Sequence, residues 1–427
     1  MKKGDFLYQQ YINILKEELR PAMGCTEPIA MAYAGAKARQ ILGARPDKVR
    51  LFVSGNIIKN VKSVVVPNTG GLHGMAAAIC AGIVAGDADR ELQVISDVPK
   101  EKHAEIKAYM DTLDLDIQPA YSELIFDIDV FEYAGDDVVR LRIINHHTNI
   151  VLIEKNGEKL LELPVTESSE DQLTDKACLT IENIVEFADA LDVEDIRDYV
   201  AEQIRCNLEI ANEGLAGNWG ANIGSVILKF HPNSIEKKAC AYAAAGSDAR
   251  MSGCERPVVI VSGSGNQGMT ASIPVIRYAW HLGVSREKLY HALLVSDLVT
   301  IHQKSGIGRL SAYCGAISAG VGAGAGIAYL LDGSYRAIAH TIVNAVAILS
   351  GTICDGAKPS CAAKIAASVD AGILGYQMYC NDQQFRGGDG IVTKGVDDTI
   401  ANIGVLAKQG MQETDRVILE IMTTRCD

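Results

Sequence analysis

The sequence predicts an α+β protein in two parts: an α+β domain over residues 1–165 and a larger, mostly α-helical domain over residues 166–427. Three observations carry this. Strand-type alternation of apolar and polar residues is concentrated between residues 48 and 154. From residue 177 onward apolar residues recur mainly at helical spacing. Between the two lies the acidic stretch Glu167–Asp175, which reads as a linker. A chain of 427 residues is long enough for two or three domains and a large core.

Taken in order, residues 5–20 form an amphipathic helix, with Phe6, Leu7, Tyr11, Ile14, Leu15 and Leu19 on or near one face. Met23-Gly24-Cys25-Thr26-Glu27-Pro28 then opens an Ala-rich helix running to Ile41. Pro28 suits its first turn, and Thr26 or Glu27 suits its cap. Cys25 therefore precedes a helix N-terminus, where the backbone dipole lowers a thiol pKa. The plain alternative is a small buried residue in a tight turn.

Lys48–Ser54 and Val61–Val66 read as strands. Pro67-Asn68-Thr69-Gly70-Gly71 leads from them into a small-residue helix over 72–86. A glycine loop before a helix can hold an anion on free N–H groups, although a structural turn explains the glycines equally well. Further strands are expected at Leu92–Ile95, Tyr121–Phe131, Val138–Ile144 and Ile150–Glu154, with a helix over 100–113. Asn156-Gly157 marks a hairpin. His146-His147-Thr148-Asn149 reads as a polar loop from which His147 or Asn149 could reach a site. Adjacent histidines on a strand point to opposite faces, which disfavours a two-His metal site.

In the second part, 177–190, 193–212 and a segment opening at Ala239 are helical. Val258–Val261 is a short strand ending in Ser262-Gly263-Ser264-Gly265-Asn266-Gln267-Gly268. That loop lacks the Gly-Lys-Ser/Thr of a Walker loop and the context of a dinucleotide fingerprint. It fits a helix-opening turn that binds a carboxylate, with Asn266 and Gln267 as amide donors. Two long uncharged runs follow, Cys314–Leu331 and Ala337–Cys354, parted by Asp332-Gly333-Ser334-Tyr335-Arg336. They read as a buried helical hairpin with Cys314 and Cys354 at one end and Cys361 close by. Their length raises a membrane reading. Their Gly and Ala content, His340, Asn344 and the lack of an aromatic belt argue against it. A helix over 396–409 and a strand over 416–422 end the chain, with Cys426 in the tail.

Formal charge is −13 and no basic run occurs, which argues against a nucleic-acid partner. Met1-Lys2-Lys3 is followed by no apolar segment, so a cytoplasmic protein is expected. Eleven cysteines, an odd number, fit buried thiols plus a few used chemically rather than a disulfide framework. Three converging thiols suit zinc, an iron–sulfur cluster or no metal. No Cys-x₂₋₄-Cys knuckle is present, and Cys380, a conceivable fourth thiol, lies in a separate segment.

Met23-Gly24-Cys25-Thr26-Glu27-Pro28, Gly263-Ser264-Gly265-Asn266-Gln267-Gly268, and Cys314, Cys354 and Cys361 together resemble the L-cysteine desulfidase family, relatives of the iron–sulfur L-serine dehydratases. The resemblance covers nearly the whole chain, with 1 to about 165 similar to the dehydratase β-type part and 170–427 to the α-type part. Cys354-Asp355-Gly356 resembles the dehydratases' Cys-Asp-Pro, and Cys361 their following cysteine. Gly-Cys-Thr-Glu-Pro stands where they carry Ser-Ser-His-Thr-x-Gly-Pro. The histidine is therefore missing around Cys25, which argues for a desulfidase and leaves the base without a direct counterpart.

The resemblance implies a [4Fe–4S] lyase without pyridoxal phosphate, converting L-cysteine to pyruvate, ammonia and hydrogen sulfide. Cys314, Cys354 and Cys361 would hold the cluster and leave one iron open. Cys25 is the candidate base. Thr26, Asn68, Thr69, Asn266 and Gln267 are candidate substrate contacts, and Lys304 a candidate source of positive charge. L-Serine dehydratase is the nearest alternative, and a non-catalytic cluster-binding or cysteine-sensing protein is the one from another class. Expected partners are a small amino acid, no nucleic acid and no membrane, with a homodimer left open. The base in the first part and the thiols in the second imply a site between them.

Overall fold

A computed structural model describes residues 1–120, 122, 124–165, 174–308 and 311–424. It is α+β, with a mixed sheet in the N-terminal half and helices dominating the rest. The strands are β1 (Arg20–Met23), β2 (Lys48–Val53), β3 (Asp114–Pro119), β4 (Asp127–Ala134), β5 (Asp137–Ile144), β6 (Ile150–Lys155), β7 (Glu158–Glu162) and β8 (Pro257–Ile260). Six of them form one sheet in the order β3-β2-β4-β5-β6-β7, parallel only between β2 and β3. The helices Thr26–Leu42 and Gly74–Ala85 cover one face of it. Alternate residues such as Val49, Leu51, Val130 and Leu141 face them and are fully buried.

The second core is built of helices between Ile181 and Thr424. The N-terminal helix Phe6–Glu18 joins this core rather than the sheet: the rings of Tyr8 and Tyr11 pack at a tilt against Phe187, 5.2 and 5.0 Å between centroids. The expected hairpin is present as Gly315–Leu331 and Tyr335–Leu349, with Ser334 capping the second helix. Its small residues serve close packing. A Cβ on Gly324 would lie 2.6 Å from the Gly372 carbonyl of the Ser360–Cys380 helix, so backbones touch where larger side chains would hold them apart. No helix among the described residues is long and apolar enough to cross a membrane.

Three expected strands take other forms. Val61–Val66 follows a helix, Gly55–Val61, and keeps only an isolated bridge between Val65 and His73. Ile57, Ile58 and Val61 are spaced to bury one helical face, so the apolar run satisfies a helix as well as a strand. Leu92–Ile95 lies at the end of a 3₁₀ helix, Ala88–Gln93, capped by Asp87. Residues 416–422 lie within the helix Gln412–Thr424, where Arg416 pairs with Glu413 and Glu420 at helical spacing. Of the long strand expected over Tyr121–Phe131, the part from Asp127 is a strand, and Tyr121 and Glu123 lie outside the described residues. Most of the proposed linker and Cys426 lie outside the described residues.

β1 and β8 form a separate antiparallel pair that ties the N-terminal segment to the helical half, with Arg20 opposite Ile260 and Met23 opposite Pro257. At this junction Cys25, Val64 and Met251 make a small buried cluster, with Ala357 and Cys361 against it.

Candidate active site

A cavity of about 610 Å³ opens at the junction. Four stretches of chain build it.

The first is the turn after β1. Gly24 adopts φ +56°, and a Cβ there would strike the Pro67 ring at 2.6 Å. A glycine is required on both counts. The turn sets Cys25 as the N-cap residue of the Thr26–Leu42 helix, with Cys25 and Thr26 on the cavity wall.

The second stretch is the loop after β8. Ser262 and Gly263 have φ values of +49° and +77°, and Ser264 caps the helix Gly265–Leu282. Asn266 and Gln267, in its first turn, line the cavity. Gly268 lets this helix lie on β8, since its Cβ would sit 1.9 Å from the Val259 carbonyl.

The third stretch supplies the thiols. A bridge between Tyr313 and Ile353 joins the two ends of the hairpin. Cys314 N–H donates to Thr352 O at 3.1 Å, and Cys354 N–H to Ala312 O at 2.6 Å. This pairing brings Cys314 beside Cys354, and Cys361 follows at the start of the next helix. All three line the cavity, as does the buried Lys304.

The fourth stretch is the helix Gly55–Val61 and the segment 407–415, which contribute Asn56, Lys59, Asn60 and Asp415. A π-helical turn, Leu406–Gly410, lies in that segment.

Of the residues expected from sequence, Cys25, Thr26, Asn266, Gln267, Lys304, Cys314, Cys354 and Cys361 meet in this one cavity. Asn68 and Thr69 do not line it. Asn68 donates its amide to the Ile95 and Ser96 carbonyls, and Thr69 its hydroxyl to Val66 O. Their loop instead backs Gly24 through Pro67. His147 reaches the cavity edge-on to Phe126, with His146 beside it, whereas Asn149 donates to Ile144 O.

Electrostatics differ across the cavity. The helix N-terminus was expected to lower the Cys25 thiol. Burial instead pushes it up to about 11, against a downward pull from Arg250. Complete desolvation outweighs a dipole acting on one residue. Cys354 is held well below the usual thiol range by the hydrogen bond from Cys314, then by Lys59, the Gly356 N–H and Lys304. Cys314, the donor of that bond, is pushed up. Burial brings Lys304 down to about 8, although Cys354 and Cys314 act to raise it.

Among the described residues no three His, Cys, Asp or Glu side chains converge closely enough to hold a single metal ion. A multi-iron cluster takes its thiolates on separate irons, so its sulfurs need not meet at one point. Three thiols on one cavity wall, one of them in a thiolate-stabilising setting beside two buried lysines, fit such a group.

The sequence reading missed Arg250. It is buried, lines the cavity, and donates from Nε to Gly24 O at 3.1 Å and from Nη1 to Asn266 Oδ1 at 3.2 Å. A signal was available: Asp248 and Arg250 are the only charges in the run Ala239–Met251. Lys59 was missed as well, because its helix read as a strand connection.

The family described as serine dehydratase alpha chain matches residues 89–420, a range that crosses position 166 and takes in the sheet from β3 onward. A UPF0597 protein of Desulfitobacterium hafniense is 59% identical over 426 residues, covering 100% of this chain and 99% of that one. UPF0597 proteins of Treponema denticola and Bacteroides fragilis are 44% and 37% identical, each over 97% of this chain and 98% of theirs. By the breadth of that match, and by likeness to the UPF0597 proteins from end to end, this chain belongs to the serine dehydratase alpha chain family.

Proposed function

We propose that the protein is a [4Fe–4S]-dependent carbon–sulfur lyase that converts L-cysteine to pyruvate, ammonia and hydrogen sulfide without pyridoxal phosphate. The observation that carries this reading is the meeting of Cys25 with Cys314, Cys354 and Cys361 in one cavity of a serine-dehydratase-family chain. Cys314, Cys354 and Cys361 would hold the cluster. When bound, it supplies an open iron that acts as a Lewis acid toward the departing sulfur.

The remaining work falls to side chains. Cys25 takes the α-proton. Its raised pKa makes the thiolate scarce but strongly basic, which suits a weakly acidic C–H. Lys304 offsets negative charge near the thiols, and Thr26, Asn266 and Gln267 position the amino acid. Loss of the Cα proton and of sulfur from Cβ leaves aminoacrylate, which tautomerises and is hydrolysed by water to pyruvate and ammonia. Burial of the reacting centre keeps base and leaving group on one positioned substrate.

The family match equally supports L-serine as substrate, with hydroxide leaving in place of sulfide. Anaerobically prepared protein given each amino acid decides between them. Sulfide from L-cysteine at higher kcat/KM than pyruvate from L-serine is expected, and the reverse order makes it a dehydratase. Iron and acid-labile sulfide on the same sample test the cofactor. Fewer than about three irons per chain rules out the cluster as assigned.

A further inference from the structure

The cavity wall carries a cation that no carboxylate among the described residues answers. Arg250 is 5% exposed, and both of its hydrogen-bond partners, Gly24 O and Asn266 Oδ1, are neutral. Among the described residues no Asp or Glu oxygen lies within 4.0 Å of its guanidinium. Lys59, another deeply buried cation of the cavity wall, is answered by Asp415. A buried guanidinium without a counter-charge is costly, and an anionic ligand removes that cost.

Two further features fit an amino acid, one its carboxylate and the other its ammonium. The helix Gly265–Leu282 begins beside Arg250, and its first N–H groups have no partner within the helix. Gln267, in its first turn, is also 5% exposed. Its Oε1, an acceptor, is buried without a hydrogen-bond partner while the residue lines the cavity, which suits a donor such as the α-ammonium of the same ligand. Gly265 leaves the room this needs, since a Cβ there would sit 2.5 Å from Arg250 Nε.

We propose that Arg250, with the N-terminus of the Gly265–Leu282 helix, forms a binding pocket for the substrate's α-carboxylate, and that Gln267 Oε1 accepts from its α-ammonium. This rests on reading the cavity as the amino-acid site. Arg250 is fixed through Nε and Nη1, which leaves guanidinium N–H donors for a carboxylate. Its anchor on Gly24 puts the bound carboxylate next to Cys25, so the α-carbon, one bond away, lies within the reach of the proposed base. The pocket selects free α-amino acids and rejects amides, esters and amines of the same side chain.

Calorimetric titration of the full, anaerobically prepared chain with L-cysteine and L-serine, and with their carboxamides, tests this. The acids are expected to bind about 10- to 150-fold more tightly than the amides, the worth of a charged hydrogen-bonded pair. Arg250→Gln is expected to weaken the acids by a similar factor while leaving the amides unchanged, so that the discrimination disappears. Arg250→Lys should restore part of it. Equal affinity for acid and amide in the wild type, no binding of either, or full discrimination surviving in Arg250→Gln overturns the pocket. If Arg250→Gln does not fold, the wild-type pair alone decides. Turnover is scored separately. Discrimination without sulfide or pyruvate leaves the pocket standing and removes the lyase, and turnover without discrimination does the reverse.

Discussion

Lys59 and Asp415 are 356 residues apart in the chain and 2.5 Å apart in space. The pair pins the helix Gly55–Val61, beside the sheet, to the C-terminal helix Gln412–Thr424 at the cavity wall. Leu419 packs against Gly55 in the same contact, and Lys62 donates to Met422 O. Lys59 is almost wholly buried, whereas Asp415 keeps some solvent contact. Removing the acid therefore strands a buried cation. Asp415→Asn is expected to cost about 3 kcal/mol in denaturant unfolding, with faster amide exchange over 412–424. Lys59→Met, which removes the charge itself, is expected to cost less. Equal losses would show that the pair's charge is not what matters.

The raised Cys25 pKa gives the pH profile a sign. A base acts deprotonated, so below pH 11 the thiolate fraction rises about tenfold per pH unit. On a logarithmic plot, kcat/KM for L-cysteine should climb with slope near one up to about pH 8. Lys304, which loses its charge through about 8, bends the curve. Cys25→Ser isolates the thiol: activity falls by about 10²-fold or more and the rising limb disappears. A wild-type profile without that limb removes Cys25 as base.

Asp297 is a buried carboxyl outside the cavity lining. Oδ1 accepts from Gln203 Nε2 at 2.9 Å, Oδ2 has no partner, and burial pushes its pKa up to about 7. The folded state therefore holds a proton that the unfolded chain has released above about 4. Stability from this group is complete below that value and is lost as pH rises toward and through 7. Asp297→Asn keeps an acceptor for Gln203 and removes the penalty. It should raise the unfolding free energy at pH 8 by as much as about 4 kcal/mol and leave pH 4 nearly unchanged. Urea titrations at the two pH values measure this.

Gly268 and Gly263 sit five residues apart with different reasons for being glycine. A Cβ on Gly268 meets backbone 1.9 Å away, while one on Gly263 meets open space at φ +77°. Gly268→Ala should cost about 3 kcal/mol by driving the Gly265–Leu282 helix off β8. Gly263→Ala should cost about 1–2 kcal/mol, for left-handed strain alone. Chemical denaturation of the two variants ranks them, and the opposite order contradicts the packing described.

The α+β class, the helical hairpin and the alignment of Cys314 with Cys354 were legible because they rest on periodicity and on uninterrupted uncharged runs. The helices at 55–61 and 412–424 were not. Both are rich in β-branched residues, and what fixes them is an ion pair and a packed face formed with each other. Arg250 escaped notice because a charge inside an alanine-rich helix acquires meaning only when its partners are known.

The sequence by itself determined which thiols, amides and lysine are available and which element carries each, since those follow from local spacing and caps. The tertiary structure decided which of them share a cavity. It drew in Cys25 through the β1–β8 pair, and it left Asn68 and Thr69 holding their own loop. It also set the Cys25 thiol high rather than low. Solvent exclusion depends on what packs around a residue from distant parts of the chain, and no local pattern reports it.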